Sequence, residues 1–166
     1  MANEEEVFLK AKNDALKLLS FRPRSVEELK AKLRQKKYSD EITQRVTDHF
    51  AKAGLVDDKK FARLLVNSLV YSKPAGRRQL EFDLKKKGLS GEVVREALAD
   101  LGEYDEKKTA KELALGRLRH MTGIPDPKKK VRIFSFLQRR GFSQGVVFSV
   151  LSELFRGDVM METDSE

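Results

Sequence analysis

The sequence has no cysteine, no tryptophan and only two histidines. The first absence excludes disulfides and thiolate-ligated zinc, and it suits a reducing compartment. His49 and His120 stand apart, without the paired spacing of an imidazole metal site, and both read as helix-surface or half-buried residues. No stretch approaches the roughly 20 apolar residues of a membrane-spanning helix. The opening, MANEEEVFLKAKNDALK, carries acids where a signal peptide carries bases. A cytoplasmic protein off the membrane is the expectation. Also missing are a glycine-rich loop ending in Gly-Lys-Ser/Thr, a G-x-S-x-G elbow and an H-E-x-x-H pair. Neither a catalytic centre nor a bound metal or cofactor is therefore expected.

What the chain does have is charge, repetition and helical periodicity. Of its 166 residues 36% are charged and 40% apolar, enough for several small cores, and the net charge of +8 favours an anionic partner. A cassette occurs three times. In the clearest copy Leu80 and Leu84 precede Lys85–Lys86–Lys87, then Gly88, Leu89 and Ser90, then an apolar stripe of Val93, Val94, Ala97, Leu98 and Leu101. An earlier copy runs from Leu29 and Leu33 through Arg34–Gln35–Lys36–Lys37, Tyr38 and Ser39 to Ile42, Val46 and Phe50. A later one runs from Ile133 and Leu137 through Gln138–Arg139–Arg140, Gly141, Phe142 and Ser143 to Val146, Val147, Val150, Leu151 and Leu154. The serines Ser39, Ser90 and Ser143 are about 51 and then about 53 residues apart, a period typical of repeat architectures.

Helix signals fill the intervals. Apolar residues at helical spacing predict a helix from about Val7 to Leu19, stopped by Pro23. Ser25 with Glu28 forms a capping box for the next helix, and Ser39 caps a third that runs to Phe50 and ends at Gly54. Asp57 or Asp58 caps a helix carrying Phe61, Leu65, Leu69 and Val70; capping is preferred to metal binding for this pair. A turn at Pro74 and Gly76 leads into the central cassette, which Gly102 closes. A third unit opens near Asp105, with Ala110, Leu113, Ala114 and Leu118 inward, followed by a helix from about Lys128 to Arg140 and a last one from Ser143 to Leu154. The fold expected is all-α: nine helices in three tandem three-helix repeats, 1–54, 55–102 and 103–155, with 156–166 a disordered acidic tail. Units this small should pack in series as an elongated, curved module.

Charge follows position in the repeat. Seven bases face two acids from Arg22 to Lys37, six face two from Lys73 to Lys87, and eight face one from Arg117 to Arg140. The third-helix segments lean acidic, with Glu92, Glu96, Asp100, Glu103, Asp105 and Glu106 against Arg95. Helix dipoles account for a base or two at each helix end. They do not account for Arg77 and Arg78, or Lys128–Lys129–Lys130, at helix starts, so a functional basic stripe is inferred. The stripe comprises Lys36, Lys37, Arg77, Arg78, Lys85, Lys86, Lys87, Lys128, Lys129, Lys130, Arg132, Arg139 and Arg140. Gly88 and Gly141 are expected to end helices in the left-handed conformation. Tyr38, Tyr71 and Phe142 read as core or turn packing ahead of base stacking.

The strings GLVDDKKFA, GRRQLEFDLKKKGLS and FLQRRGFS, in this order between Leu18 and Leu154, resemble the RecX family of bacterial recombination regulators. The resemblance implies tandem three-helix repeats that bind RecA, chiefly as its filament on single-stranded DNA. It further implies a position in the filament groove and inhibition of ATP hydrolysis, co-protease activity and strand exchange. By position, it carries over Gly88 and Gly141 as turn glycines and Asp57–Asp58 as a helix cap. Arg77, Arg78, Lys85, Lys86, Lys87, Arg139 and Arg140 become the basic second helices. The first repeat departs from the pattern, with Lys37 in the glycine's place and Pro23 in the first turn. DNA itself is a further candidate partner, and a monomer is expected. Two rival readings stand beside this one. A helix-turn-helix regulator would read DNA bases, although the third helices are acidic or apolar. A helical scaffold would bind an acidic protein.

Overall fold

The computed structural model describes residues 3–102 and 104–156. Within them lie nine α-helices and no strand: α1 (Glu4–Phe21), α2 (Val26–Gln35), α3 (Asp40–Lys52), α4 (Asp58–Ser72), α5 (Arg77–Lys86), α6 (Gly91–Ala99), α7 (Glu106–Leu118), α8 (Asp126–Arg139) and α9 (Gln144–Leu154). The expected acidic tail falls outside the described residues except for Arg156, as does Glu103.

Side-chain caps place most helix starts. Ser25, Ser39, Ser90 and Ser143 accept from the backbone N–H of Glu28, Ile42, Val93 and Val146, and Asp105 accepts from Lys108. Two starts come earlier than the periodicity indicates. Glu4–Glu6 join the first turn of α1, where carboxylates suit the helix dipole. Pro127 sits in the first turn of α8, where its missing N–H costs no hydrogen bond, so that helix begins at Asp126 rather than Lys128. On α4 the buried residues are Phe61, Ala62 and Val66, while Leu65, Leu69 and Val70 are half-buried. Tyr71 is 87% exposed, which overturns its reading as a packing residue. Phe142 and Leu89 are buried as expected, and Tyr38 is half-buried with its hydroxyl donating to Asp14 at 2.9 Å.

The chain groups into two compact units, drawn from Met1–Ser68 with Asp83–Asp100 and from Leu69–Phe82 with Leu101–Glu166. Compactness therefore divides the middle repeat, and α4 and α5 each contribute to both units. The first unit holds the core of Phe8, Ala11, Ala15, Leu29, Leu33, Ile42, Val46, Phe50 and Val56. Here the start of α2 leans on the turn after α5. The Ser25 hydroxyl donates to the carbonyl of Lys87, and the N–H of Val26 donates to Asp58 Oδ1 at 2.8 Å. Asp58 is thus spent on α2, and Asp57 alone caps α4, accepting from Lys60 N–H at 3.0 Å. Burial pushes the Asp58 carboxyl above its usual range, with the Val26 hydrogen bond opposing it.

The second unit repeats the device at equivalent positions. Its core contains Ala110, Ala114, Met121, Ile133, Leu137, Phe142, Val147 and Val150. The N–H of Gly76, the residue before α5, donates to the carbonyl of Arg140 at 2.8 Å. The N–H of Arg77 donates to Glu106 Oε1 at 3.0 Å. In both joints, then, the first residue of a second helix is held by the acid that opens the next repeat. The residue before it grips the carbonyl preceding a left-handed glycine.

That geometry explains the glycines. Gly88 and Gly141 have φ of 77° and 80°, and a Cβ on them would overlap the Glu27 side chain and the Gln79 backbone respectively. Lys37 takes the same left-handed turn, φ 69°, but is exposed and has no preceding repeat to accommodate. The first repeat keeps the conformation and loses only the close approach. Gly54 supplies the contrast, with φ 68° and open space around it. Gly54→Ala should cost roughly 1–2 kcal/mol, the conformational penalty alone. Gly141→Ala should cost that penalty plus roughly 1–3 kcal/mol of overpacking. Urea unfolding of the two variants measures the difference.

Candidate functional site

The basic residues of the stripe do not share one fate. In the first unit Lys37, Lys85 and Lys86 are exposed. Lys36 pairs with Asp14 at 3.3 Å. Lys87 turns back onto α2, its ammonium 2.9 Å from Glu28 Oε1, where Arg22 also donates at 3.0 Å. Burial pushes the Glu28 carboxyl up, but the hydrogen bonds and charges of Arg22 and Lys87 outweigh it and hold the group at about 2. Lys87 is therefore engaged in the joint between repeats.

In the second unit Arg140 holds the same position and has the same occupation. Its guanidinium donates to the carbonyl of Pro74 at 2.8 Å, and its Nε is buried. It too is a joint residue. Arg77, Arg78, Lys128, Arg132 and Arg139 are exposed. Lys129 pairs with Asp126 at 2.8 Å, and Lys130 lies over the Phe155 ring, 5.3 Å from its centroid. Asp126 answers the puzzle of the lysine run: it precedes the three lysines in the same helix turn and neutralises one of them.

Arg132 and Arg139 are two helical turns apart on α8, on the side that carries Ser135. This side forms one wall of an open cleft of about 510 Å³, lined by Arg117, His120, Met121, Val131, Arg132, Ser135 and Arg139. Arg117, at the end of α7, also covers the Phe136 ring at 5.5 Å. Sequence reasoning places Arg132 and Arg139 on the basic stripe and counts Arg117 in its segment. It misses that Arg117 and His120 join them, because the meeting of the α7 end with α8 is tertiary.

The acids of the third helices also find their uses. Glu96 and Asp100, on α6 and just after it, pair with Lys59 at 2.9 Å and Arg63 at 3.0 Å on α4. Glu153 on α9 pairs with Lys107 and Lys111 on α7. In the first repeat the polarity reverses, with Arg45 of α3 on Glu4 and Glu5 of α1. First helices thus balance third helices, and the second helices keep an excess of positive charge. Among the described residues no group of three or more histidines or carboxylates could hold a metal, and no helix is long and apolar enough to cross a membrane.

An all-helical array of three-helix units with such joints and basic second helices defines a class of helical repeat protein. Comparison with known proteins narrows the class. Models of the first, second and third three-helix domains of RecX match residues 11–50, 57–98 and 104–151. Regulatory protein RecX of Mycolicibacterium smegmatis is 38% identical over 146 residues, covering 86% of this chain and 78% of that protein. Regulatory protein RecX of Amycolatopsis mediterranei is 33% identical over 152 residues, covering 92% and 87%. The crystal structure of RecX from Lactobacillus salivarius superposes with a TM-score of 0.80 at 22% identity, covering 89% of this chain and 96% of that one. The chain belongs to the RecX family of regulatory proteins.

Removing the Glu28 charge tests the joint in the first unit. Its lowered carboxyl contributes stability that is fully present above the unfolded value near 4.5 and is lost as pH falls through about 2. Glu28→Gln should cost roughly 1–2 kcal/mol at pH 7, allowing for solvent screening of the partners. The gap from the parent should close between those two pH values, as followed by urea unfolding across the range.

Proposed function

We propose that this protein binds the RecA recombinase on single-stranded DNA and restrains it. The observation that carries this reading is the match, in order and across the chain, to all three RecX three-helix domains. The distribution of charge supports it. With Glu96, Asp100 and Glu153 paired to first-helix bases, the exposed bases of the second helices stand out: Lys85 and Lys86 in one unit, and Arg78, Lys128, Arg132 and Arg139 in the other. Such a surface suits a partner that presents both acidic protein and DNA phosphate.

The mechanism is steric and needs no chemistry from the protein itself. Repeats 1–54, 55–102 and 103–155, laid along successive RecA subunits, would block filament growth and fix the subunit interface at which ATP is hydrolysed. A monomer working in the cytoplasm suffices. Joint residues such as Lys87 and Arg140 act only by holding the repeats in register.

RecA ATP hydrolysis on single-stranded DNA, with this protein titrated below the RecA concentration, tests the proposal. Inhibition at substoichiometric ratios is expected, with no comparable effect from a basic control protein. Inhibition only when the protein exceeds the DNA sites would reduce the effect to competition for phosphates. K85A/K86A, which spares the joint lysine, should weaken inhibition several-fold while stability stays within about 0.5 kcal/mol of the parent.

A further inference from the structure

The cleft between the end of α7 and α8 gathers more than charge. Arg117, Arg132 and Arg139 line it, joined by the imidazole of His120 and the hydroxyl of Ser135. None of these five side chains forms an ion pair or side-chain hydrogen bond with another described residue. The sole acid from Arg117 to Arg140 is Asp126, and it is occupied by Lys129. Three guanidiniums around one concavity repel each other unless an anion lies between them. Their bidentate forks match phosphate oxygens, and Arg117 is steadied by its stacking on Phe136.

Two further features identify the anion. Arg132 and Arg139 are seven residues apart on one helix, so their backbones lie roughly 10 Å apart along the axis. That separation suits two neighbouring phosphates better than one. The rest of the wall is apolar, with Met121 buried at its base and Val131 66% exposed beside the arginines. A volume of about 510 Å³ is in the range of sites for a single small molecule or monomer unit. A duplex keeps its bases stacked and out of reach of such a cleft, whereas a single strand can present one sugar and base to it.

We propose that this cleft of the third repeat receives one nucleotide unit of a single-stranded nucleic acid, with its flanking phosphates on the arginines and its sugar and base on Val131 and Met121. The proposal rests on the preceding section for the kind of partner, a filament containing single-stranded DNA, and on the cleft for the place. It assigns to the third repeat a direct hold on the strand, separate from any contact with RecA.

The test uses the full chain without RecA, reading fluorescence anisotropy of a labelled oligothymidylate over a range of salt. R132A/R139A should lower affinity tenfold or more and flatten the logarithmic salt slope by about 1.4, roughly 0.7 for each single-strand phosphate released from an arginine. K10A/K17A removes the same charge from exposed positions of α1 and should change affinity less than twofold. R132K/R139K, which keeps charge without the guanidinium fork, should recover only part of the affinity. Equal effects of the two alanine variants, or full recovery with lysine, would overturn the site in favour of diffuse attraction. Displacement of the oligonucleotide by thymidine monophosphate or polyglutamate as readily as by unlabelled strand would overturn the strand as ligand. Circular dichroism melts of each variant separate folding from binding. Because RecA is absent, failure here leaves its inhibition, measured in parallel, standing.

Discussion

The second helix of a repeat begins short of hydrogen-bond partners, and the next repeat supplies them. Every helix start leaves backbone N–H groups without intrahelical acceptors. At α2 the N–H of Val26 finds Asp58, and at α5 the N–H of Arg77 finds Glu106. Each acceptor opens the following repeat's first helix. Beside each lies a second bond, from Ser25 or Gly76 to the carbonyl before a left-handed glycine. Polar, directional and tight, this joint fixes how one repeat meets the next, in a way that apolar burial alone would not.

From the joint follow constraints on residues that look functional in isolation. Lys87 and Arg140 end basic runs at the same point of the cassette, and each is turned back to the preceding helix start. Their neighbours Lys86 and Arg139 face solvent. A basic run at a helix end therefore divides into one residue that holds the array together and another that is available to a partner. The two compact units express the same logic: each is built around one joint and takes from the middle repeat the part that the joint engages.

Much of this is legible in the sequence, because local rules place local features. The serines at 25, 39, 90 and 143 cap the helices that follow them, as their spacing indicates, and glycine at 88 and 141 marks left-handed turns. What the sequence hides is the second reason for those glycines, since the groups that approach them are some 60 residues earlier in the chain. Lys37 looks like a departure for the same reason. Its turn is of the same left-handed kind, but no earlier repeat presses on it. Asp57 and Asp58 read as alternative caps for their own helix; Asp57 takes that place and Asp58 serves α2, while Tyr71 reads as a packing residue and stands in solvent. Composition reveals the basic stripe but not which of its bases are already engaged.

The placement of acids carries the argument further. A chain with 34 bases and 26 acids could scatter them and be soluble without being selective. Here the acids are used where structure needs them: at the joints through Asp58 and Glu106, inside the first joint through Glu28, and on the third helices opposite first-helix bases. Among the described bases that pair with no acid, Arg132 and Arg139 on α8 and Arg117 at the end of α7 line one cleft. Positive charge there is not a by-product of high net charge spread evenly. It is gathered at one cleft with no paired acid among the described residues, which is the condition that the proposed nucleotide site requires.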